Sequence, residues 1–450
     1  MTRVLVYGLA VTGSSVIRAL SKRGYEVVCA DDRDTADNRA SANEMDIDVV
    51  FAPSEEQIRD LVRGCDFVVP APGLREVHPV RVSANALGKR CVSELDLAYD
   101  WESSRPEGAR PILAITGTDG KTTTVSLTAH MLREGGLRVV EAGNTDIPFV
   151  EAIDDDDANA FVVECSSFRL FDVESFRADA SAWLNISPDH LDWHVSMESY
   201  RRAKERLWHC VTSNDVAVFP AASQEISRTA KASGARAVSF GVGGDYSLAA
   251  GALTAHGEPF MSVADMWRAL PHDIDNTLAA CAVALESRCV DQDAVSRAVA
   301  TFTPPHHRIE HVAELHGVRW YDDSKATTPH AARAAIRSFD SVVLIAGGRN
   351  KDLDLGQLTL EKDHIKAVVA TGEGIAEISR VFDGVRPVHA ANSMIEAVTI
   401  ASRLATSGDT VLLSPACTSF DWYRNYGERG DDFVRCVREV LGTESKETSK

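Results

Sequence analysis

The stretch A-I-T-G-T-D-G-K-T-T-T-V, residues 114–125, decides how this chain is read. It leaves an apolar run, "ILAIT" (112–116), passes through Gly117 and Gly120, and enters a helical pattern from about Lys121 to Arg133. Strand, glycine loop and helix start in that order make a phosphate cradle. Glycines let backbone N–H groups face the phosphates, and the helix N-terminus favours negative charge. The general pattern is G-x-x-x-x-G-K-[ST]. Gly120, Lys121 and Thr122 supply its end, but Ile115 stands where the first glycine belongs, and the extra glycine sits at Gly117. Lys121 suits the outer phosphates, and the Thr122 hydroxyl suits Mg2+. A plain glycine turn capping a Thr-rich helix is the alternative for the same residues.

Outward from the loop the same grammar recurs. "RVLVYG" (3–8), "EVVCADD" (26–32) and "FVVPAPG" (67–73) are strands, with a helix pattern over "SSVIRALSKRG" (14–24). "FVVECSSF" (161–168), "ASAWLNIS" (180–187) and "DVAVFP" (215–220) follow the loop. "VVLIAGG" (342–348), "AVVATGEG" (367–374) and "DTVLLSPA" (409–416) come last. Strands alternating with helices predict an α/β chain with parallel sheets, whose ligands bind at the carboxyl ends of the strands. A chain of 450 residues holds about three domains of ~150 residues. The polar stretch "WESSRPEGARP" (101–111) reads as one linker, and "FTPPHHR" (302–308) marks a second boundary. The expected domains are 1–104, 105–304 and 305–450: a Rossmann-like domain, a central P-loop ATPase-like parallel sheet and a second Rossmann-like domain. The tail from about 442 to 450 reads as disordered.

Composition narrows the function. The net charge of −19 argues against a nucleic-acid partner, which needs clustered Lys and Arg. No apolar run approaches the length of a membrane span, and the N-terminus lacks the h-region of a signal peptide. Nine scattered cysteines without a C-x-x-C pair fit reduced thiols in a cytoplasm.

Several residues point to chemistry. Glu164 ends an apolar strand, where a bare carboxylate is costly unless paired or metal-bound. "SPDHLDWH" (187–194) gathers Asp189, His190, Asp192 and His194 in one turn, which fits either a ligand set or a polar loop. From Met197 to Val211, helical spacing puts Met197, Tyr200, Ala203, Leu207, Trp208 and Val211 on one apolar arc. Lys204 falls inside that arc, between Tyr200 and Trp208. Such a lysine either snorkels its ammonium to water, or sits in a low-dielectric site where its amine becomes neutral and reactive. In the first segment, "YGLAVTG" (7–13) resembles G-x-G-x-x-G with Ala10 for the second glycine, and Asp31 follows where a ribose or base contact falls. In the last, Asp323 and Lys325, Lys351, and Ser414, Thr418 and Ser419 occupy three loops on one expected sheet edge.

Together these strings resemble the Mur ligases of peptidoglycan synthesis over nearly the whole chain. "TGTDGKTTT" (116–124) matches their shortened ATP loop. "GLAVTG" (8–13), "DDSKAT" (322–327) and "LLSPACTSFD" (412–421) match the branch that adds D-glutamate. They differ from the sister ligases for L-alanine, the third residue or the D-Ala-D-Ala dipeptide, and from folylpolyglutamate synthases. The resemblance implies a cytoplasmic, monomeric ATP-dependent ligase of cell-wall biogenesis, serving cell shape and division. It would join D-glutamate to UDP-N-acetylmuramoyl-L-alanine (UDP-MurNAc-L-Ala) through an acyl phosphate. A related ligase joining a different amino acid or acceptor is the alternative within the family. A nucleotide-regulated binding protein or NAD-type oxidoreductase is the alternative outside it.

The resemblance also implies roles. Lys121, Glu164, His190 and Lys204 would be catalytic. Gly117, Thr118, Gly120, Lys121, Thr122, Thr123, Asn276, Arg308, Asp323 and Lys325 would bind ATP. Thr122, Glu164, His190 and a carbamylated Lys204 would hold two Mg2+ ions. Thr12, Asp31, Asp32, Arg33, Gly73, Asn144 and His190 would bind the UDP-sugar. Thr327, Lys351, Ser419 and Tyr426 would bind D-glutamate. Four positions depart from the family's usual residues. Asp273 stands for Asn in "HDIDN", "GNTDIP" (143–148) replaces G-N-I-G, Thr328 stands for Asn after "KAT", and Asp32 stands for a hydroxyl residue.

Overall fold

The computed structural model describes residues 1–351 and 353–442, so the expected disordered tail lies outside the described residues except for Gly442. The chain forms two compact units. The first comprises Met1–Ile186, Trp193–Ala269 and Asp273–Thr303. The second comprises Ser187–Asp192, Leu270–His272 and the chain from Pro304.

The first unit carries two sheets. One has five parallel strands, with Arg3–Tyr7 between Glu26–Asp31 and Phe67–Pro70. Strand order reverses at Arg3–Tyr7, so the loop at Gly8 opens at the switch point where such sheets bind ligands. In the second sheet Ile112–Thr116 lies parallel between Ala160–Glu164 and Ala180–Trp183, pairing Ile115 with Glu164 and Thr116 with Trp183. All three strands are buried along their whole length, which matches their unbroken apolar sequences. The phosphate-loop candidate, Glu164 and Asn185 thus emerge side by side at one sheet edge.

Two expectations change here. The central sheet is not wholly parallel: Tyr246–Ala249, Ala252–Ala255 and Glu258–Ser262 add an antiparallel meander at its edge. Its turns are Ala250–Gly251 and His256–Gly257, all four residues at positive φ. These are two-residue hairpin turns of the kind that match strand twist. The stretch 101–111 is not a loose linker either. Its start belongs to the helix Glu94–Ser103, and Arg110 is pinned. Arg110 Nε and Nη2 donate to Glu102 at 2.9 and 2.6 Å, and the guanidinium also donates to the carbonyls of Asp155 and Ile153. Arg81–Asp172 at 2.6 Å and Arg23–Asp154 at 2.7 Å make further ion pairs between the segments carrying the two sheets.

The second unit is built on six strands. Glu310–Leu315 and Val318–Asp322 form an antiparallel hairpin turned at His316 and Gly317, and the remaining strands run parallel. Val342–Gly347 and Thr410–Ala416 are buried throughout and form its centre. No helix among the described residues is long and apolar enough to cross a membrane. All nine cysteines are free.

Arg110→Met should lower the stability of the first unit by about 3–5 kcal/mol, because it strands the buried Glu102 carboxylate. Urea unfolding followed on that unit measures this. A loss under ~1 kcal/mol would mean that the pair does not hold the segment.

Candidate active site

The glycine loop is organised from below by Asn185. Its Oδ1 accepts from the N–H groups of Thr118 and Asp119, both at 2.9 Å, and its Nδ2 donates to Asp119 O at 3.1 Å. The sequence reading takes this residue as part of a strand. Its position just past Ala180–Trp183, next to the loop's own strand, is the signal that marks it. Gly120 caps the helix Lys121–Glu134 in the left-handed region, φ +82. Its φ favours glycine, and a Cβ there would stand 2.4 Å from Asn276 Oδ1, so a larger residue would also displace the Asn276 side chain. Thr123 is buried in the helix's first turn.

Glu164 is buried at the end of its strand and fully engaged. Thr122 Oγ1 donates to its Oε2 at 2.7 Å, and Asn144 Nδ2 donates to its Oε1 at 2.9 Å. Asn144 also donates its backbone N–H to Glu164 O at 2.8 Å. Gly143, at φ +93, makes that approach possible, since a Cβ would meet Glu164 O at 2.4 Å. The departure at "GNTDIP" therefore leaves Asn144 on the carboxylate.

Lys204 does not snorkel. It is 1% exposed. Its Nζ donates to Gly117 O at 2.7 Å and lies 4.7 Å from the Tyr200 ring centroid. Tyr200 OH is 3.0 Å from Thr118 Oγ1. Lys121 Nζ donates to Gly117 O at 2.9 Å and Thr118 O at 2.7 Å. The two expected catalytic lysines thus share one carbonyl. The helix bearing Lys204 is shorter than its pattern suggests: Met197–Glu205, then a 3-10 turn Arg206–Trp208 that keeps Leu207 and Trp208 buried.

The acidic cluster in "SPDHLDWH" divides. His194 is a packed residue, with Nε2 2.9 Å from Ser167 Oγ and its ring beside Phe168 and Trp193. His190, at φ +56, leans on Asp189 at 3.2 Å, and Lys351 Nζ meets the same carboxylate at 3.1 Å. All three belong to the second unit. Burial works against the Asp189 anion, but His190 and Lys351 hold its pKa below the usual carboxylate value.

At the N-terminal sheet, Asp31 and Asp32 differ. Asp31 is buried and braces the loop, accepting from Leu9 N at 2.7 Å and Arg33 N at 2.8 Å. Asp32 accepts from Tyr7 OH at 2.6 Å and is 2.8 Å from His78 Nε2. Burial and Asp32 together raise the Tyr7 pKa. Thr12 is half-buried on the first turn of the helix Val11–Lys22. The structure makes no demand for glycine at Gly73, where a Cβ would meet nothing within 4 Å. Pro72 O beside it accepts from Trp193 Nε1 at 3.0 Å.

In the second unit, Asp323 accepts from Ser414 Oγ at 2.7 Å. Burial pushes its pKa up to about 7, against Ser414 and the charge of Arg308. Lys325 Nζ lies 4.9 Å over the Tyr426 ring. Ser324 Oγ donates to Tyr426 O, and the buried Arg429 ties Ser324 to Cys417 O. Thr327 follows Lys325, and Ser419 is buried two residues beyond Cys417. His307, Ile309 and Ala416 all hold positive φ. Bulky residues in that region mark sites where surroundings enforce strain. Thr328 is the N-cap of the helix Pro329–Ile336, its Oγ1 accepting from Ala331 N at 3.2 Å. Asn and Thr both fill that position. Asp273, also a departure, is buried and paired twice with Arg268, at 2.6 and 2.9 Å.

The comparisons with known proteins agree with this arrangement. The family model described as Mur ligase middle domain matches residues 115–284, and that described as Mur ligase, glutamate ligase domain matches 307–417. Solved structures share the fold. They include a pseudomurein peptide ligase type C from Methanothermus fervidus (TM-score 0.61, 16% identity, 98% of this chain and 100% of that one). They also include the UDP-N-acetylmuramate-alanine ligase MurC of Thermotoga maritima (TM-score 0.59, 20% identity, 99% and 100%). The chain belongs to the Mur ligase family. Within it, the chain is 36% identical to the UDP-N-acetylmuramoylalanine–D-glutamate ligase of Thermobifida fusca, over 98% of this chain and 99% of that one. It is 34% identical to the enzyme of the same name from Streptomyces coelicolor, over 97% and 98%.

Asp323→Asn should flatten the pH dependence of the second unit's stability between pH ~4 and ~7. In that window the unfolded chain has lost the Asp323 proton and the folded chain still holds it, so wild-type stability falls as pH rises, by up to about 4 kcal/mol. Urea midpoints across pH check this; parallel curves for both proteins would contradict it.

Proposed function

We propose that this chain is the ATP-dependent ligase that joins D-glutamate to UDP-MurNAc-L-Ala, acting as a cytoplasmic monomer. The observation that carries the reading is the strand-end carboxylate Glu164 tied to Thr122 of the glycine loop, with the buried Lys204 on the same loop's carbonyl. In this reading residues 1–104 bind the acceptor, 105–304 bind ATP and 305–450 bind the amino acid.

The chemistry follows from these groups. ATP phosphorylates the acceptor's carboxylate, giving an acyl phosphate. The amine of D-glutamate attacks that carbon, a tetrahedral intermediate forms, and phosphate leaves. Lys121 turns from its two loop carbonyls to the outer phosphates, and Gly117, Thr118, Gly120 and Thr123 shape the cradle around them. Asn276, Arg308, Asp323 and Lys325 contact the nucleotide. Thr122 and Glu164 offer a hydroxyl and a carboxylate 2.7 Å apart, a hard-oxygen pair that fits Mg2+. A carbamate on Lys204 would add a further oxygen donor, and His190 is the remaining ligand assigned by resemblance. Bound Mg2+ supplies neutralisation of phosphate charge. Thr12, Asp31, Asp32, Arg33, Gly73 and Asn144 belong to the UDP-sugar, with Asp31 acting as the brace of the loop. Lys351, with Thr327, Ser419 and Tyr426, receives the carboxylates of D-glutamate.

Phosphate release from ATP should require both UDP-MurNAc-L-Ala and D-glutamate. Release with either one alone, or with another amino acid preferred in a panel, would overturn the reading. Lys351→Met should raise KM for D-glutamate far more than KM for ATP; equal effects on all substrates would remove Lys351 from that role. Lys204→Ala should be nearly inactive, partly rescued by a short carboxylic acid in solution. Native mass showing no carbamate, together with an active Ala variant, would reject the carbamate.

A further inference from the structure

The glycine loop at the N-terminal switch point carries a charge arrangement that the assignments above leave unused. The helix Val11–Lys22 starts there with Ala10 as its N-cap, no capping side chain and no acidic residue in its first turn. Its start is pressed onto the loop: a Cβ on Gly13 would lie 1.8 Å from Gly8 O. Orphan N–H groups at such a start favour an anion, but many helices begin this way.

The second observation is a buried guanidinium aimed at the same turn. Arg169 lies on the short helix Ser167–Leu170, just beyond Glu164 in the central sheet. Its Nη2 donates to Thr12 Oγ1 at 3.0 Å. Arg169 is 6% exposed, and its Nε has no hydrogen-bond partner among the described residues. Its charge is met by Glu94, itself buried, whose carboxylate accepts from Arg169 Nη1 and from Val150 N at 3.2 Å. A guanidinium carries five donors in a planar fork, so it can serve a carboxylate on one side and a phosphate on another.

We propose that Arg169 is an anion-binding residue of the acceptor site. It reaches from the central sheet to a diphosphate seated at the N-terminus of helix Val11–Lys22, with Glu94 as its resident counter-ion. This rests on the reading of the acceptor as UDP-linked. Glu94 keeps the guanidinium neutralised in the resting protein and competes with the incoming phosphate. The two partners therefore have opposite effects: losing Arg169 weakens diphosphate binding, and neutralising Glu94 strengthens it. A merely structural ion pair would make both variants bind less well.

The test is calorimetric titration of the full chain with UDP and with uridine at fixed ionic strength. Arg169→Gln should bind UDP about tenfold or more weakly, in line with loss of a charge-assisted contact, while its uridine affinity stays within about twofold of wild type. Arg169→Lys should recover part of the loss, and it keeps the test open if the Gln variant does not fold. Glu94→Gln should bind UDP more tightly. In turnover, KM for the UDP-linked acceptor should rise in Arg169→Gln while KM for ATP holds. Unchanged UDP affinity in folded Arg169→Gln, or equal losses for UDP and uridine, would overturn the proposal and leave the ligase reading standing. A wild-type chain that binds no UDP would overturn that reading, and the proposal with it.

Discussion

A carboxylate at the end of a strand buried on both faces has to be satisfied where it stands, and Glu164 sets the terms for the glycine-loop edge of the first unit. It cannot reach bulk water, so the chain brings partners to it. One is Thr122 from the glycine loop, the other Asn144 from the neighbouring strand end. Meeting that demand fixes the loop against the next strand over. It also forces glycine at Gly143, because Asn144 reaches the carboxylate only if the preceding residue has no side chain. The loop is then held from its other side by Asn185. A loop held this way keeps its shape without any ligand, and preorganised donors are the condition for strong electrostatic stabilisation in any reaction.

The same edge draws two lysine side chains inward onto one backbone oxygen. Gly117 O accepts from both Lys121 and Lys204. Each lysine has a second oxygen beside it, Thr118 O for Lys121 and Thr116 Oγ1 for Lys204. Nearby Tyr200 supplies both a ring face to Lys204 and a hydroxyl to Thr118. The lysine is therefore held by packing as well as by hydrogen bonds.

What the sequence made legible follows the physics of each signal. Fully buried parallel strands announce themselves as unbroken apolar runs, and the loop by its glycines and lysine. Lys204 stood out because a charge inside an apolar arc breaks a periodic rule. The antiparallel meander was missed because its strands are four or five residues long and partly exposed, so they carry little pattern. The linker was misread because Glu102 and Arg110 look like solvated charges one at a time. Only their meeting in three dimensions makes them buried partners. Asn185 is hidden for the same reason: it is an ordinary polar residue after a strand, and its work is to orient a neighbour. Sequence spacing finds groups that carry charge or shape; it does not find those that hold them in place.

The departures from the family's usual residues show how such substitutions are absorbed. Thr328 fills a helix-capping role that Asn can also fill, accepting from Ala331 N. Asp273 brings a new charge into the interior, and Arg268 neutralises it with two hydrogen bonds from a residue five positions away. Asp32 replaces a hydroxyl with a carboxylate that Tyr7 and His78 both engage. His78 Nδ1 accepts from Val80 N at 3.2 Å. A neutral His78 must then carry its proton on Nε2, the atom facing Asp32. The carboxylate thus receives two donors, one on each oxygen. A hydroxyl at this position both donates and accepts; the carboxylate can only accept. At this position the first sheet therefore offers acceptors only, held in place by Tyr7 and His78.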